Sequence, residues 1–300
     1  MTNTEKNESK YFDPFTRMLG LEVEEVWEDG LTARSKLKPD FCNTYSSAHG
    51  GYVYALGYTA AVLSAELCLG RRAVAVDVSN LYECSLMGAG ARIGTKLVEA
   101  GREAMVYRVQ VVNSADKLCL SQLVTLKDTD QPKAGLREFR QTIFAGDENS
   151  PIDPVTGTFY PCLSVFFAAV CHIHVLGRGE KGMIYGADIC PDTCDGYGAA
   201  HSGLIYTCCD CAAGGSAALL LEKKPVTVSS SIHYLRSAMA GPVKAEARLI
   251  RAGKQLLFYD VDVTDGNGEL IAVSHFVMKC VEYKIRSDMK LEYRRKAFKD

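Results

Sequence analysis

Two stretches decide how this chain folds: His49-Gly-Gly-Tyr-Val-Tyr54 and His201-Ser-Gly-Leu-Ile-Tyr206. Both put a small residue directly after a histidine and then run into a long apolar segment. Sliding the sequence along itself by the 152 residues that separate His49 from His201 brings further identities into register. Pro39 meets Pro191, Asp40 meets Asp192, Cys42 meets Cys194 and Tyr45 meets Tyr197. Beyond the apolar segment, Tyr82 meets Tyr234, Ala100-Gly101 meets Ala252-Gly253, Tyr107 meets Tyr259 and Lys127 meets Lys279. No gap is needed from about Phe12 to Lys127 against Ser164 to Lys279, so the chain is a duplicated domain.

Each copy has the same coarse pattern. Short helix potential comes first (residues 15–19 and 166–171), followed by two strand-like runs (21–27 and 31–37 in the first copy). The segments 50–65 and 202–221 are nearly uncharged, too long for a strand and apolar on every side, which is how a buried helix reads. Strands close each copy. Val74, Val76 and Val78 alternate, as do Val109 and Val111 around Gln110, and Tyr259, Val261 and Val263 alternate with Asp260 and Asp262. Ala100-Gly101 and Asp265-Gly-Asn-Gly268 carry hairpin chemistry. The expected class is α+β, with a flexible leader (1–10), domains at 11–128 and 159–284, a linker (129–158) containing Pro132, Pro151 and Pro154, and a charged tail (285–300).

Composition narrows the function. Of the 300 residues 47% are hydrophobic and 23% charged, a globular balance. A net charge of −2 supplies no basic field for nucleic acid or acidic membranes, and the basic residues of the tail are interrupted by Asp288 and Glu292. No apolar run reads as an uninterrupted membrane span, and the polar first ten residues lack a signal-peptide core, so a cytoplasmic protein is expected. Twelve cysteines without an export signal read as free thiols. Cys208, Cys209 and Cys211 form no CxxC pair, and no metal site is expected.

A lone helix wrapped by an antiparallel sheet, with His-Gly-Gly at the helix entrance and Asn43 six residues before the histidine, resembles the hotdog fold. More narrowly it is similar to the acyl-CoA thioesterases related to the phenylacetate-pathway enzymes. The resemblance covers about four fifths of the chain and implies two tandem hotdog domains paired as an internal pseudo-dimer. It also implies an acyl-CoA substrate, with CoA as leaving group and no retained cofactor, and further association into a dimer of double hotdogs. In that family each site straddles a pair: one partner brings an Asn, a His and the N–H groups at its helix start, the other an acid nine positions after its own His and a strand hydroxyl.

Carried over position by position, the pattern is asymmetric. The first copy keeps Asn43, His49, Gly50 and Gly51; the second keeps the acid, Asp210, and the hydroxyl, Thr227. The complementary set is Asp195, Ser202, Tyr58 and Ala75, which lacks its acid. One working composite site per chain is therefore expected. In it Asp210 acts as base or nucleophile, Thr227 holds the water or orients the carboxylate, and the Gly50 N–H receives the oxyanion. Asn43 donates to the carbonyl or to water, and His49 packs the helix entrance. Gly51, Tyr54, Tyr58 and Tyr206 are expected to face the substrate between the two helices.

The chemistry of Asp210 also stands on its own. It is the only charged residue between His201 and Glu222, and a carboxylate in an apolar helix costs several kcal/mol unless it is partnered. No Gly-x-Ser-x-Gly elbow supports a serine hydrolase, and Gly88-Ala-Gly-Ala-Arg-Ile-Gly94 opens a strand rather than a helix. A non-catalytic acyl-CoA binding or sensing protein is the alternative reading, and a hotdog hydratase or dehydratase the third.

Overall fold

The computed structural model describes residues 12–43, 45–133, 166–221, 224–239 and 241–281. The expected leader and tail, and nearly all of the expected linker, lie outside the described residues. In the first repeat α1 (Pro14–Leu19) precedes β1 (Leu21–Trp27), β2 (Gly30–Lys36), α2 (Gly50–Leu69), β3 (Arg71–Tyr82), β4 (Gly90–Ala100), β5 (Met105–Asn113) and β6 (Leu118–Pro132). The second contains α3 (Phe166–Val170), β7 (Ile173–Arg178), β8 (Met183–Ala187), α4 (Ser202–Leu221), β9 (Lys224–Tyr234), β10 (Val243–Ala252), β11 (Leu256–Thr264) and β12 (Leu270–Val281). β6 runs past residue 128, the expected domain end, because its last residues pair with the start of β3.

All twelve strands join one antiparallel sheet in the order β1-β2-β4-β5-β6-β3-β9-β12-β11-β10-β8-β7. The order is a palindrome of the two repeats, and β3 pairs with β9 at its centre. Ser79 faces Ser231, its own counterpart, so the local two-fold relating the repeats passes through that pair. Matching hairpins are closed by Gly101 N–H to Ala104 O and Gly253 N–H to Leu256 O, each 2.8 Å. The internal pseudo-dimer is thus one continuous sheet with two core helices.

The helices are buried for the reason their composition suggests. In α2 every residue except Gly50, Val62, Cys68 and Leu69 is buried, and no polar stripe exists to face water. Contrary to the sequence reading, both long helices do have the length and apolarity of a membrane span. However, 83% and 72% of their apolar windows are enclosed by the protein, so they are core helices. Gly70 stops α2 with a left-handed φ of 65° and donates its N–H to Glu66 O.

α2 and α4 touch through small residues. A Cβ on Gly51 would stand 2.4 Å from Thr207 Oγ1, and one on Gly203 would stand 3.0 Å from the Ala55 Cβ. These are the same contact seen from each repeat, and only glycine admits it. The alternation expected at Val74, Val76 and Val78 does not describe one face. Pairing with β6 slips between Ala75 and Asp77, which leaves Val76 41% exposed while Ala75 and Val78 are buried. A β-bulge has reversed the phase of the strand.

Candidate active site

The entrance of α2 is fixed by hydrogen bonds. His49 has an extended backbone (φ −65°, ψ 141°), its N–H reaches Phe41 O at 2.9 Å, and its Nδ1 accepts the Gly51 N–H at 3.0 Å. Burial lowers the His49 pKa, with the nearby Asp210 charge opposing that shift less strongly. The ring is therefore neutral near pH 7 and carries its proton on Nε2, which lies 3.7 Å from Cys211 Sγ. Gly51 spends its N–H on this cap. Among the described residues the Gly50 and Tyr52 N–H groups have no acceptor, and Gly50 stands first at the positive end of the helix.

Asp210, buried on α4, lies against Gly50. Its Oδ1 accepts the Thr227 hydroxyl at 2.7 Å. Its Oδ2 is 3.6 Å from His49 Nδ1, and a Cβ on Gly50 would stand 2.8 Å from the same oxygen. Because Nδ1 already accepts from Gly51 and the ring is neutral, the contact between Asp210 and His49 is not an ion pair. The lone carboxylate of the second repeat, the strand hydroxyl and the helix entrance of the first repeat are thus brought together.

Hydroxyls complete the surroundings. Tyr82 donates to Gly50 O at 3.0 Å and is 3.0 Å from the Tyr206 hydroxyl, which is 2.7 Å from Ser230 Oγ. Burial raises the pKa of both tyrosines well above the ordinary value, and the Asp210 charge adds to the rise, so they remain protonated donors.

The other residues singled out in the sequence are placed differently. Asn43 uses its amide oxygen on its own loop, accepting the Tyr45 N–H at 2.9 Å and the Ser47 hydroxyl at 3.1 Å, which leaves only its NH2 for a ligand. Gly51 is closed off by Thr207 rather than turned to a substrate. Tyr54 and Tyr206 are fully buried and stacked on each other, so they form core instead of a pocket wall. Tyr58 does line a cavity, but at the complementary set of residues.

That cavity, about 330 Å³, lies beside the entrance of α4. Its walls include Tyr58, Ala75, Asp195, His201 and Ser202, where the counterparts of Asp210 and Thr227 are a phenol and a methyl. Sequence reading missed its charged lining. Glu66 pairs with Lys133 at 3.0 Å, and Arg72 reaches from β3 to Asp195 at 2.6 Å while its guanidinium stacks 3.8 Å above Tyr197. The signal that finds Asp210 also finds Glu66, the only charged residue of α2. The pairings could not be read, because each partner lies far away in sequence. Cys208, Cys209 and Cys211 are buried in α4, and burial raises their pKa values. Among the described residues no cluster of three or more His, Cys, Asp or Glu is placed to hold a metal.

Residues 197–272 match the family described as the thioesterase superfamily, a span that contains Asp210 and Thr227. A protein of Saccharolobus solfataricus carrying an esterase designation is 35% identical over 77 residues, 25% of this chain and 51% of its own. The chain thus matches about half the length of that curated relative. An acyl-CoA thioesterase II from Mycobacterium marinum superposes with a TM-score of 0.57 at 13% identity, covering 90% of this chain and 98% of that one. A hot dog fold protein from Alicyclobacillus acidocaldarius superposes with a TM-score of 0.61 at 11% identity, covering 87% and 96%. At such identities the likeness shows the fold. The second repeat therefore carries the thioesterase-superfamily signature, and the chain as a whole has the double-hotdog fold.

Proposed function

We propose that the protein hydrolyses an acyl-CoA thioester at the composite site where α4 of the second repeat meets the entrance of α2. The observation that carries this reading is the Asp210 carboxylate, held by Thr227 and set over the Gly50 end of α2. Water between Asp210 and the thioester carbonyl gives a proton to the carboxylate as its oxygen attacks the carbonyl carbon. The new oxyanion takes the Gly50 N–H and the positive end of the helix dipole. Collapse breaks the carbon–sulfur bond, and the proton held by Asp210 goes to the departing thiolate. In the nucleophilic variant Asp210 forms an anhydride that water then opens; after a single turnover in oxygen-18 water, label in Asp210 establishes this route with water attacking the Asp210 carbonyl, and trapping the acyl-enzyme with hydroxylamine reports the anhydride whichever carbonyl water attacks. The scheme needs water and the chain's own side chains, with CoA leaving as product.

The test is thiol release from aryl-, short- and medium-chain acyl-CoAs by wild type, Asp210→Asn and Tyr58→Phe. Turnover by wild type and Tyr58→Phe with loss in Asp210→Asn supports a single composite site. Binding of acyl-CoA without thiol release by the wild type sinks the hydrolase reading in favour of a sensing protein.

A further inference from the structure

The complementary composite site has lost its reacting carboxylate yet has kept a cavity. We infer that this cavity is a second, non-hydrolysing binding site for a CoA-linked acyl group. The inference takes its ligand class from the proposed function and assigns a separate place to it.

Four observations carry it. The cavity stands where the local two-fold places the counterpart of the Asp210 site, against the start of α4, the middle of α2 and the bulged half of β3. Its volume of about 330 Å³ lies at the lower end of small-molecule sites. On its wall is Thr59, only 3% exposed, whose Oγ1 has no hydrogen-bond partner among the described residues. A buried hydroxyl without a partner is a cost that a ligand carbonyl or amide would remove. Finally, the carboxylates of the lining are already engaged. Asp13 is taken by Thr16, Glu66 by Lys133 and Asp195 by Arg72. Lys127 and Arg236, both exposed and the latter paired with Glu269, stand on the same lining, where the Lys127 charge suits the phosphates of a CoA moiety.

The same residues explain why this site binds without turnover. Tyr58 replaces the reacting acid and lines the cavity beside Ser202 in the first turn of α4. Burial raises its pKa far above the ordinary value, so it cannot take a proton from water at neutral pH. Ala75 replaces the strand hydroxyl, so the position that corresponds to Thr227 offers only a methyl.

The experiment is a binding titration with a non-hydrolysable thioether analogue of acyl-CoA, with thiol release from the thioester measured on the same preparation. Two equivalents per chain are expected for the wild type. Ala75→Phe, which fills the cavity, should bind one equivalent and retain turnover. As a check free of core disruption, the exposed double substitution Lys127→Glu/Arg236→Glu should weaken one binding phase at least about tenfold and leave the other unchanged. A wild type that turns over substrate but binds a single equivalent overturns the inference and leaves the proposed function standing. Two equivalents unaffected by either variant also overturn it. A wild type that binds analogue at two sites without releasing thiol overturns the hydrolase reading alone.

Discussion

Tyr54 and Tyr206, counterparts in the two repeats, stack ring on ring at 3.7 Å with planes 5° apart. The hydroxyl of each reaches a tyrosine of the other repeat, Tyr54 to Tyr234 at 2.8 Å and Tyr206 to Tyr82 at 3.0 Å. Tyr82 and Tyr234 in turn donate to the first carbonyl of the two helices, Gly50 O and Ser202 O. The stack therefore ties the helix pair to both helix entrances and sets the position at which Asp210 meets Gly50. A substrate pocket could open between these rings only by breaking that tie.

Replacing Asp210 by Asn keeps the shape and removes the base. Thiol release should fall by about 10² to 10⁴, while the thermal midpoint stays close to wild type. Thr227→Ala, which frees Oδ1 of the carboxylate, should cost roughly tenfold through orientation. Steady-state thiol assays with thermal melts check both. Full turnover in Asp210→Asn would remove the site.

Neighbouring glycines should respond in different ways. A Cβ at Gly50 meets Asp210 Oδ2 at 2.8 Å, so Gly50→Ala should lower activity at least about tenfold with little loss of stability. A Cβ at Gly51 meets Thr207, fully buried and itself donating to Gly203 O at 2.6 Å, so nothing there can yield. Gly51→Ala should destabilise by about 1–3 kcal/mol, measured by denaturant unfolding.

His49 and His201 are both buried with lowered pKa values, chiefly by desolvation. The folded protein keeps them neutral below the ordinary histidine value of 6.5, where the unfolded chain takes up protons. Stability from them is complete above that pH and is lost as pH falls, by up to about 1.4 kcal/mol per pH unit for each ring. Glu66, whose pKa burial raises, acts in the opposite sense from 4.5 upward. Comparing wild type with His49→Asn and His201→Asn between pH 5 and 8 isolates the histidine part, since Asn can still cap the helix. An unchanged slope in both variants would refute the assignment.

Lys133 neutralises a buried carboxylate. Lys133→Met should destabilise by about 3 kcal/mol at pH 8, where Glu66 is left charged with only the Ala73 N–H beside it. The loss should shrink at pH 5, because a protonated Glu66 needs no cation. Urea unfolding at the two pH values tests it; equal losses would show that the pair acts by packing only.

The duplication, the two core helices, the strand class and the acid at position 210 were legible in the chain because each rests on local spacing or on composition. Two helices apolar on every side must be buried, and residues that recur without a gap must occupy equivalent places. A lone charge in such a helix marks itself, as Asp210 and Glu66 both do. What tertiary structure alone decided lies between the repeats. The Val76 bulge, the Tyr54–Tyr206 stack, the reach of Arg72 to Asp195 and the side on which the cavity lies all depend on residues far apart in sequence. These contacts form only once β3 has paired with β9 and the helices have closed on each other, so no pattern within either repeat encodes them.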